Sequence, residues 1–375
     1  MFVGGMTTFA GVAGFAAAIS GEPPRVAAGS RAGAPPSTPS LTAVSSEPTH
    51  ALLVNERAEW WEFKQRYLLP EGRVVDTGNG GASHSEGQGW GMLLAVAFDD
   101  RPAFDRMLSW TRRTLARPGD ALIAWRYRPD DTNPVADPNN ATDGDLFTAA
   151  ALARAGRQWG VPAYTTLASA MARDIAALLV YQAGPRTVLL PGAAGFVRNG
   201  VVVVNPSYYA FGMLAELAAV FPSPVWDQLR QEGSQMIEDG RFGAWSLPPD
   251  WLQVDCRTGG LSCAPGWPAR FGYDAMRIPL HMAWGRMWDS ATTQAFAAYW
   301  SAPRPYQPAW VDLKSGQVAG YPAAAGLRAV ATLALRRRAQ EGGVPFPSIK
   351  AAPDYYAAAL VLLARLAWAE TRLPA

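Results

Sequence analysis

A chain of 375 residues is long enough to bury a large core, either as two or three ordinary domains or as one large barrel. Charged residues make up 17% and apolar residues 49%, which excludes a chain disordered throughout. The net charge of +2 arises from 33 basic and 31 acidic side chains with no basic block, so the electrostatic footprint of a nucleic-acid binder is missing. Fifteen Trp, 12 Tyr and 14 Phe are more flat rings than a core needs, and such rings suit stacking against sugars in a groove.

Residues 1–20 are apolar and end in small side chains, which reads as a signal peptide or an anchor, although no Lys or Arg precedes the apolar run. Residues 21–48 are rich in Pro, Ala, Ser and Gly and read as a linker. The remainder, 49–375, reads as one domain with no stable membrane element. Export to the periplasm or the medium is expected from these features together with Cys256 and Cys263, whose close spacing in a Gly- and Pro-containing stretch permits a local disulfide. Two cysteines and three histidines do not furnish a His/Cys metal centre, and no metal or other cofactor is expected.

Apolar residues at helical spacing predict eleven helices, over residues 51–69, 86–98, 104–115, 145–159, 167–179, 208–221, 225–237, 274–288, 295–300, 323–337 and 355–366. Strand-like stretches are few: 121–127, and 187–190 paired with 201–204 around a Gly-containing turn. Consecutive helices without a linker break predict an all-α fold of stacked hairpins, with an α/α toroid and an open α-solenoid as the two choices. Long polar inserts on alternate connections favour the toroid, with loops gathered at one rim.

Three of these helices open on a carboxylate. In SHSEGQGWG, Ser83 or Ser85 can cap the first turn and Glu86 stands at the helix start with glycine nearby, leaving room for a ligand. A general acid needs a raised pKa, whereas a helix N-terminus lowers it, so a second carboxylate close by has to compensate. In ATDGDL, Asp143 and Asp145 cannot both be caps, and the apolar run that follows lacks the further oxygen ligands of a calcium loop. In FGYDAMRIPL, Asp274 lies one turn from Arg277, a pairing that keeps a carboxyl ionised and suits a base. Each carboxylate taken alone has an ordinary reading as a cap or surface pair. Their grouping matters because alternate helix starts of a toroid point into one central cleft.

These segments carry a family resemblance. GRVVDTGNGGASHSEGQGWGMLLAV, ATDGDLFTAAALARAGRQW, VNPSYYAFGML and YDAMRIPL resemble glycoside hydrolase family 8, and within it the bacterial cellulases encoded beside cellulose synthase. The resemblance implies an (α/α)6 barrel, or toroid, with a few short strands in its loops. It also implies inverting, endo-acting hydrolysis of β-1,4-glucosidic bonds, with a β-1,4-glucan as partner and an association with the cellulose synthase complex. Carried over position by position, Glu86 is the general acid, Asp274 the general base, and Asp143 a third carboxylate on the distorted sugar. Asp145 is expected beside them as a substrate contact. Arg277 would orient Asp274 or bind a hydroxyl. Trp90, Trp125, Tyr208 and Tyr273 are stacking candidates, each with barrel core as its alternative, and His84 is expected to be a loop residue. An inverting enzyme leaves room for water, so its two carboxyls are expected about 6.5–9.5 Å apart. Chitosanase, xylanase and a non-catalytic glycan-binding toroid are the alternatives, and a lyase is disfavoured by the near-neutral charge and scarce histidine.

Overall fold

The computed structural model describes residues 56–336 and 345–371, so the leader and linker readings for 1–20 and 21–48 lie outside the described residues. Eleven α-helices occur among the described residues, and each overlaps a predicted one. They are α1 (Arg57–Tyr67), α2 (Ser85–Ala97), α3 (Arg101–Thr114), α4 (Thr142–Trp159), α5 (Pro162–Leu178), α6 (Phe211–Val220), α7 (Val225–Asp239), α8 (Ile278–Trp284), α9 (Ala291–Ser301), α10 (Ala325–Arg336) and α11 (Tyr355–Thr371).

Sequence pattern sorts them into two layers. Helices α2, α4, α8 and α11 are buried along most of their length, as apolar or small residues on every side require, whereas α3, α7 and α10 bury one stripe only. The inner helices follow one another around an axis: α2 packs on α4, α4 on α6, α6 on α8, α8 on α11, and α11 returns to α2. Outside them, α3 lies on α2, α5 on α4, α7 on α6, α10 on α8 and α11, and α1 on α11. This is the expected all-α toroid of helix pairs, one helix short of twelve among the described residues.

Among the described residues ten strands, none longer than four residues, occupy the connections. The predicted pairing of 187–190 with 201–204 does not form. Strand β4 (Arg186–Leu189) pairs with β3 (Val180–Ala183), while β6 (Val201–Val204) pairs with β5 (Val197–Arg198) and β7 (Leu252–Asp255). Tight turns decide this. Asn199 and Gly200 both take positive φ, 52° and 76°, the backbone that closes a two-residue hairpin and fixes β5 as the partner of β6. Of the stretch 121–127, only Arg126–Tyr127 (β2) is a strand, paired with Ser83–His84 (β1) at the entrance of α2.

The disulfide that the spacing of Cys256 and Cys263 permits does not form. Strand β8 (Leu261–Cys263) returns along β7 so that Cys263 faces Leu252, whereas Cys256 lies at the turn end, four residues further along. At about 3.3 Å per residue that is about 13 Å, well beyond the roughly 7 Å limit for bridged Cα atoms. Both thiols are free. No helix among the described residues is long and apolar enough to cross a membrane.

Helices α2 and α4 approach so closely at their N-terminal ends that side chains are excluded. A Cβ on Gly144 would lie 2.2 Å from the Ser85 hydroxyl oxygen, and one on Gly89 would lie 2.9 Å from the Phe147 Cβ. Gly144 adjoins Asp143 and Ser85 adjoins Glu86, so this contact sets the distance between two of the carboxylates. Replacing Gly144 by Ala should force the helices apart, lowering stability by about 1–3 kcal/mol in urea unfolding, as overpacking of a tight core does.

Candidate active site

The three carboxylates from three distant helix starts meet on one guanidinium. Arg277 Nη1 donates to Glu86 Oε2 in a short contact and to Asp143 Oδ2 at 3.3 Å, while Nη2 donates to Asp274 Oδ1 at 2.6 Å and to Ser207 Oγ at 2.9 Å. Side-chain exposure rises from Arg277 (3%) and Asp143 (5%) to Glu86 (16%) and Asp274 (24%). Arginine and Asp143 therefore form the floor, and Glu86 and Asp274 reach toward solvent on either side.

Local sequence explains how each group is held. At the start of α2 neither serine caps the helix: the Ser83 hydroxyl donates to Val74 O at 2.5 Å, and Ser85 Oγ faces Gly144. His84 occupies the cap position without a side-chain bond. One first-turn donor is met instead from beside the β1–β2 ladder, with Ser85 N donating to Trp125 O at 2.9 Å. His84, expected in a loop, thus sits in a strand opposite Arg126. At α4, Asp143 accepts from its neighbour Gly144 N at 2.8 Å. Before α8, Asp274 precedes a 3-10 turn (Ala275–Arg277), and the α-helix begins around Pro279, whose fixed φ suits a first turn.

Burial sets the proton affinity of Glu86. Burial is the largest influence on Glu86 and pushes its carboxyl up to about 8; Arg277 opposes the rise, and Asp143 and Asp274 add to it. The neighbouring carboxylates that the sequence pointed to do raise Glu86, but desolvation leads and they follow. Asp143 is also raised, again mainly by burial. The same burial, with Arg126 and Arg128 nearby, lowers His84 to about 4 and keeps its ring neutral.

Among the expected sugar contacts the structure makes two corrections. Trp90 is 1% exposed, wedged against Phe147 and Tyr356 with its ring 5.8 Å from the Arg277 guanidinium. It takes its core alternative, supporting Arg277 from below, because α2 turns that face inward. Asp145 is fully buried, accepting from Ile123 N at 2.9 Å and Asn140 Nδ2 at 2.7 Å, so it pins the 121–124 loop and faces no substrate. The others stay near the cleft. Tyr208 is half-buried with its ring 5.9 Å from Arg277, and Tyr273 adjoins Asp274 and bonds Tyr321 through their hydroxyls at 3.1 Å. Trp125 is half-buried, stacks on His84 and carries Arg126 over its ring at 4.2 Å.

Sequence reasoning missed Ser207 and Tyr355. Ser207 is held for Arg277 by Asn205 Oδ1, which accepts from its hydroxyl at 2.7 Å; the Asn-Pro-Ser-Tyr turn was the available signal. Tyr355 donates to Glu86 Oε1 at 3.4 Å and lies 3.3 Å from His84 Nδ1. Nothing in the local sequence of α11 marks it, because it reads as one more apolar helix start.

With Arg277→Met the buried carboxyls lose their common cation. The variant should be less stable than the parent by about 3–5 kcal/mol at pH 8, the cost of breaking a buried pair. That deficit should shrink as pH falls, since protonation removes the repulsion in the variant and strands the cation in the parent; urea unfolding at pH 5 and pH 8 measures it.

This geometry has relatives. The family model "Glycosyl hydrolases family 8" matches residues 40–370. A probable endoglucanase of Novacetimonas hansenii is 44% identical over 313 residues, covering 83% of this chain and 90% of that protein. An endoglucanase of Cellulomonas uda is 39% identical over 276 residues, 74% of this chain and 77% of its own length. Among solved structures, an endo-β-1,4-glucanase from Acetobacter xylinum superposes with TM-score 0.81 at 42% identity, covering 88% of this chain and all of that one. A cleft floored by one arginine among three carboxylates, on an α/α toroid matched over almost its whole length, places the chain in glycosyl hydrolase family 8.

Proposed function

We propose that the protein is an endo-acting, inverting β-1,4-glucanase in which Glu86 is the general acid, Asp274 the general base, and Asp143 the group that binds the sugar at the cleavage point. The observation that carries this reading is the shared contact of Arg277 with all three carboxyls. Glu86, raised by burial, keeps a proton near neutral pH and gives it to the glycosidic oxygen as the bond breaks. Asp274, on the solvent side and paired with Arg277 Nη2, takes a proton from a water that attacks the anomeric carbon from the opposite face. The new C–O bond lies opposite the broken one, so the configuration inverts. Tyr208, Tyr273 and Trp125 flank the cleft as sugar contacts.

The endoglucanase relatives support β-1,4-glucan as the substrate. The apolar residues 1–20 and the linker support export to the periplasm or the medium, and the resemblance to cellulases encoded beside cellulose synthase supports a role with that complex in cellulose biosynthesis.

Proton NMR of a soluble β-glucan digest should show the α-anomer first, and Glu86→Gln should retain oligosaccharide binding while losing at least about 10²–10⁴-fold in turnover, the usual contribution of a general acid. Initial β-anomer would remove inversion, wild-type turnover in Glu86→Gln would remove the acid, and faster cleavage of chitosan or xylan than of glucan would remove the substrate.

The pH profile offers a separate test. The acid must be protonated, so kcat/KM should fall as pH rises through about 8. Asp143→Asn removes a negative neighbour that raises Glu86, and should move this alkaline limb to lower pH along with reducing the rate.

A further inference from the structure

The proton-transfer scheme uses three carboxyls, yet a fourth is buried beside them. Asp250 is 3% exposed and lies in the Pro-Pro-Asp-Trp segment that leads into β7. Its partners all belong to the short stretch 270–275 that carries Asp274. Asp250 Oδ1 accepts from Gly272 N and from Ala275 N, both at 2.9 Å, and Oδ2 accepts from Arg270 Nε at 2.9 Å. Its own N–H donates to Arg270 O at 2.8 Å. One side chain and its amide therefore grip residues 270, 272 and 275, on both sides of the proposed base.

The segment needs this grip because it has little regular structure of its own. Residues 270–271 form a two-residue strand, and Asp274 occupies the cap position before the 3-10 turn without making a capping bond. The turn's own hydrogen bonds run from Met276 N to Gly272 O and from Arg277 N to Asp274 O, which leaves the Gly272 and Ala275 amides for Asp250. The fit is close. A Cβ on Gly272 would lie 2.8 Å from Asp250 Oδ2 and 2.9 Å from Arg270 Nε.

We infer that Asp250 is a positioning residue for the base: a buried carboxylate that fixes the 270–275 backbone so that the Asp274 carboxyl meets both Arg277 and the attacking water. Asp250 does not itself touch substrate. The inference rests on the reading of Asp274 as base, and misplacing a catalytic group by about 1 Å costs on the order of 10²-fold in rate.

The test uses the full chain and dinitrophenyl β-cellotrioside, whose leaving group needs no general acid, so that a base-side defect is seen alone. Asp250→Ala should lower kcat by on the order of 10²-fold while KM stays within about twofold of the parent. Azide should then restore part of the rate: it attacks the anomeric carbon as a preformed anion, the bond to dinitrophenolate breaks, and no base is required. Asp250→Asn, whose amide oxygen can still accept from Gly272 N and Ala275 N, should fall between the two. Gly272→Ala, which presses on the same carboxylate, should repeat the pattern and carries the test if Asp250→Ala does not fold. A kcat within threefold of the parent in folded Asp250→Ala, or kcat and KM deteriorating together without an azide response in the folded variants, would overturn the inference. An Asp274→Asn variant that keeps full turnover would instead overturn the base assignment on which it rests.

Discussion

A guanidinium with 3% exposure can persist in an apolar toroid only if acidic groups surround it, and Arg277 has three carboxyls. The charge balance then determines the chemistry. One cation facing three ionised carboxyls would leave an excess of two negative charges in a low-dielectric floor, so the cluster is relieved when a carboxyl keeps its proton. Burial and the neighbouring acids select Glu86 for that part, while Asp274 stays on the exposed side against the opposite nitrogen of the guanidinium. Placement around a single cation thus sets Glu86 and Asp274 apart in burial.

The scaffold serves that cation in two ways. Close packing of α2 on α4 through Gly89 and Gly144 brings Glu86 to Asp143, and the 3-10 turn before α8 delivers Asp274 and Arg277 together, three residues apart. The polar inserts supply what helices lack. The β1–β2 ladder anchors the entrance of α2, and the segment before β7 brings Asp250 against the turn that carries Asp274. Strands are a minority of the fold, but β1 ends two residues before Glu86 and the strand at 270–271 ends three residues before Asp274.

Reading the sequence recovered the eleven helices because apolar residues at a 3.6-residue period leave little choice about which face is buried. It also recovered the three carboxylates, since each opens such a helix. It failed on strand pairing, where Asn199-Gly200 supplied a two-residue turn signal that outweighed the proposed partner. The helix caps failed as well. Ser83 and Ser85 are sound cap residues by type, yet the Ser83 hydroxyl is taken by Val74 O and the Ser85 hydroxyl lies against Gly144.

Residue type and spacing alone therefore determined the all-helical class, the helix-start positions of Glu86 and Asp274, and the pairing of Asp274 with Arg277 one turn away, while the choice of Asp143 over Asp145 came from the family resemblance. Which polar and aromatic residues face the cleft was decided only by tertiary contact. Trp90 and Asp145 look like site residues in the sequence and are core, whereas Ser207, Tyr355 and Asp250 look ordinary and are not. The physical reason is separation along the chain: Arg277 meets Glu86 across 191 residues and Asp143 across 134. Burial and proton affinity depend on such neighbours, and no local pattern encodes them.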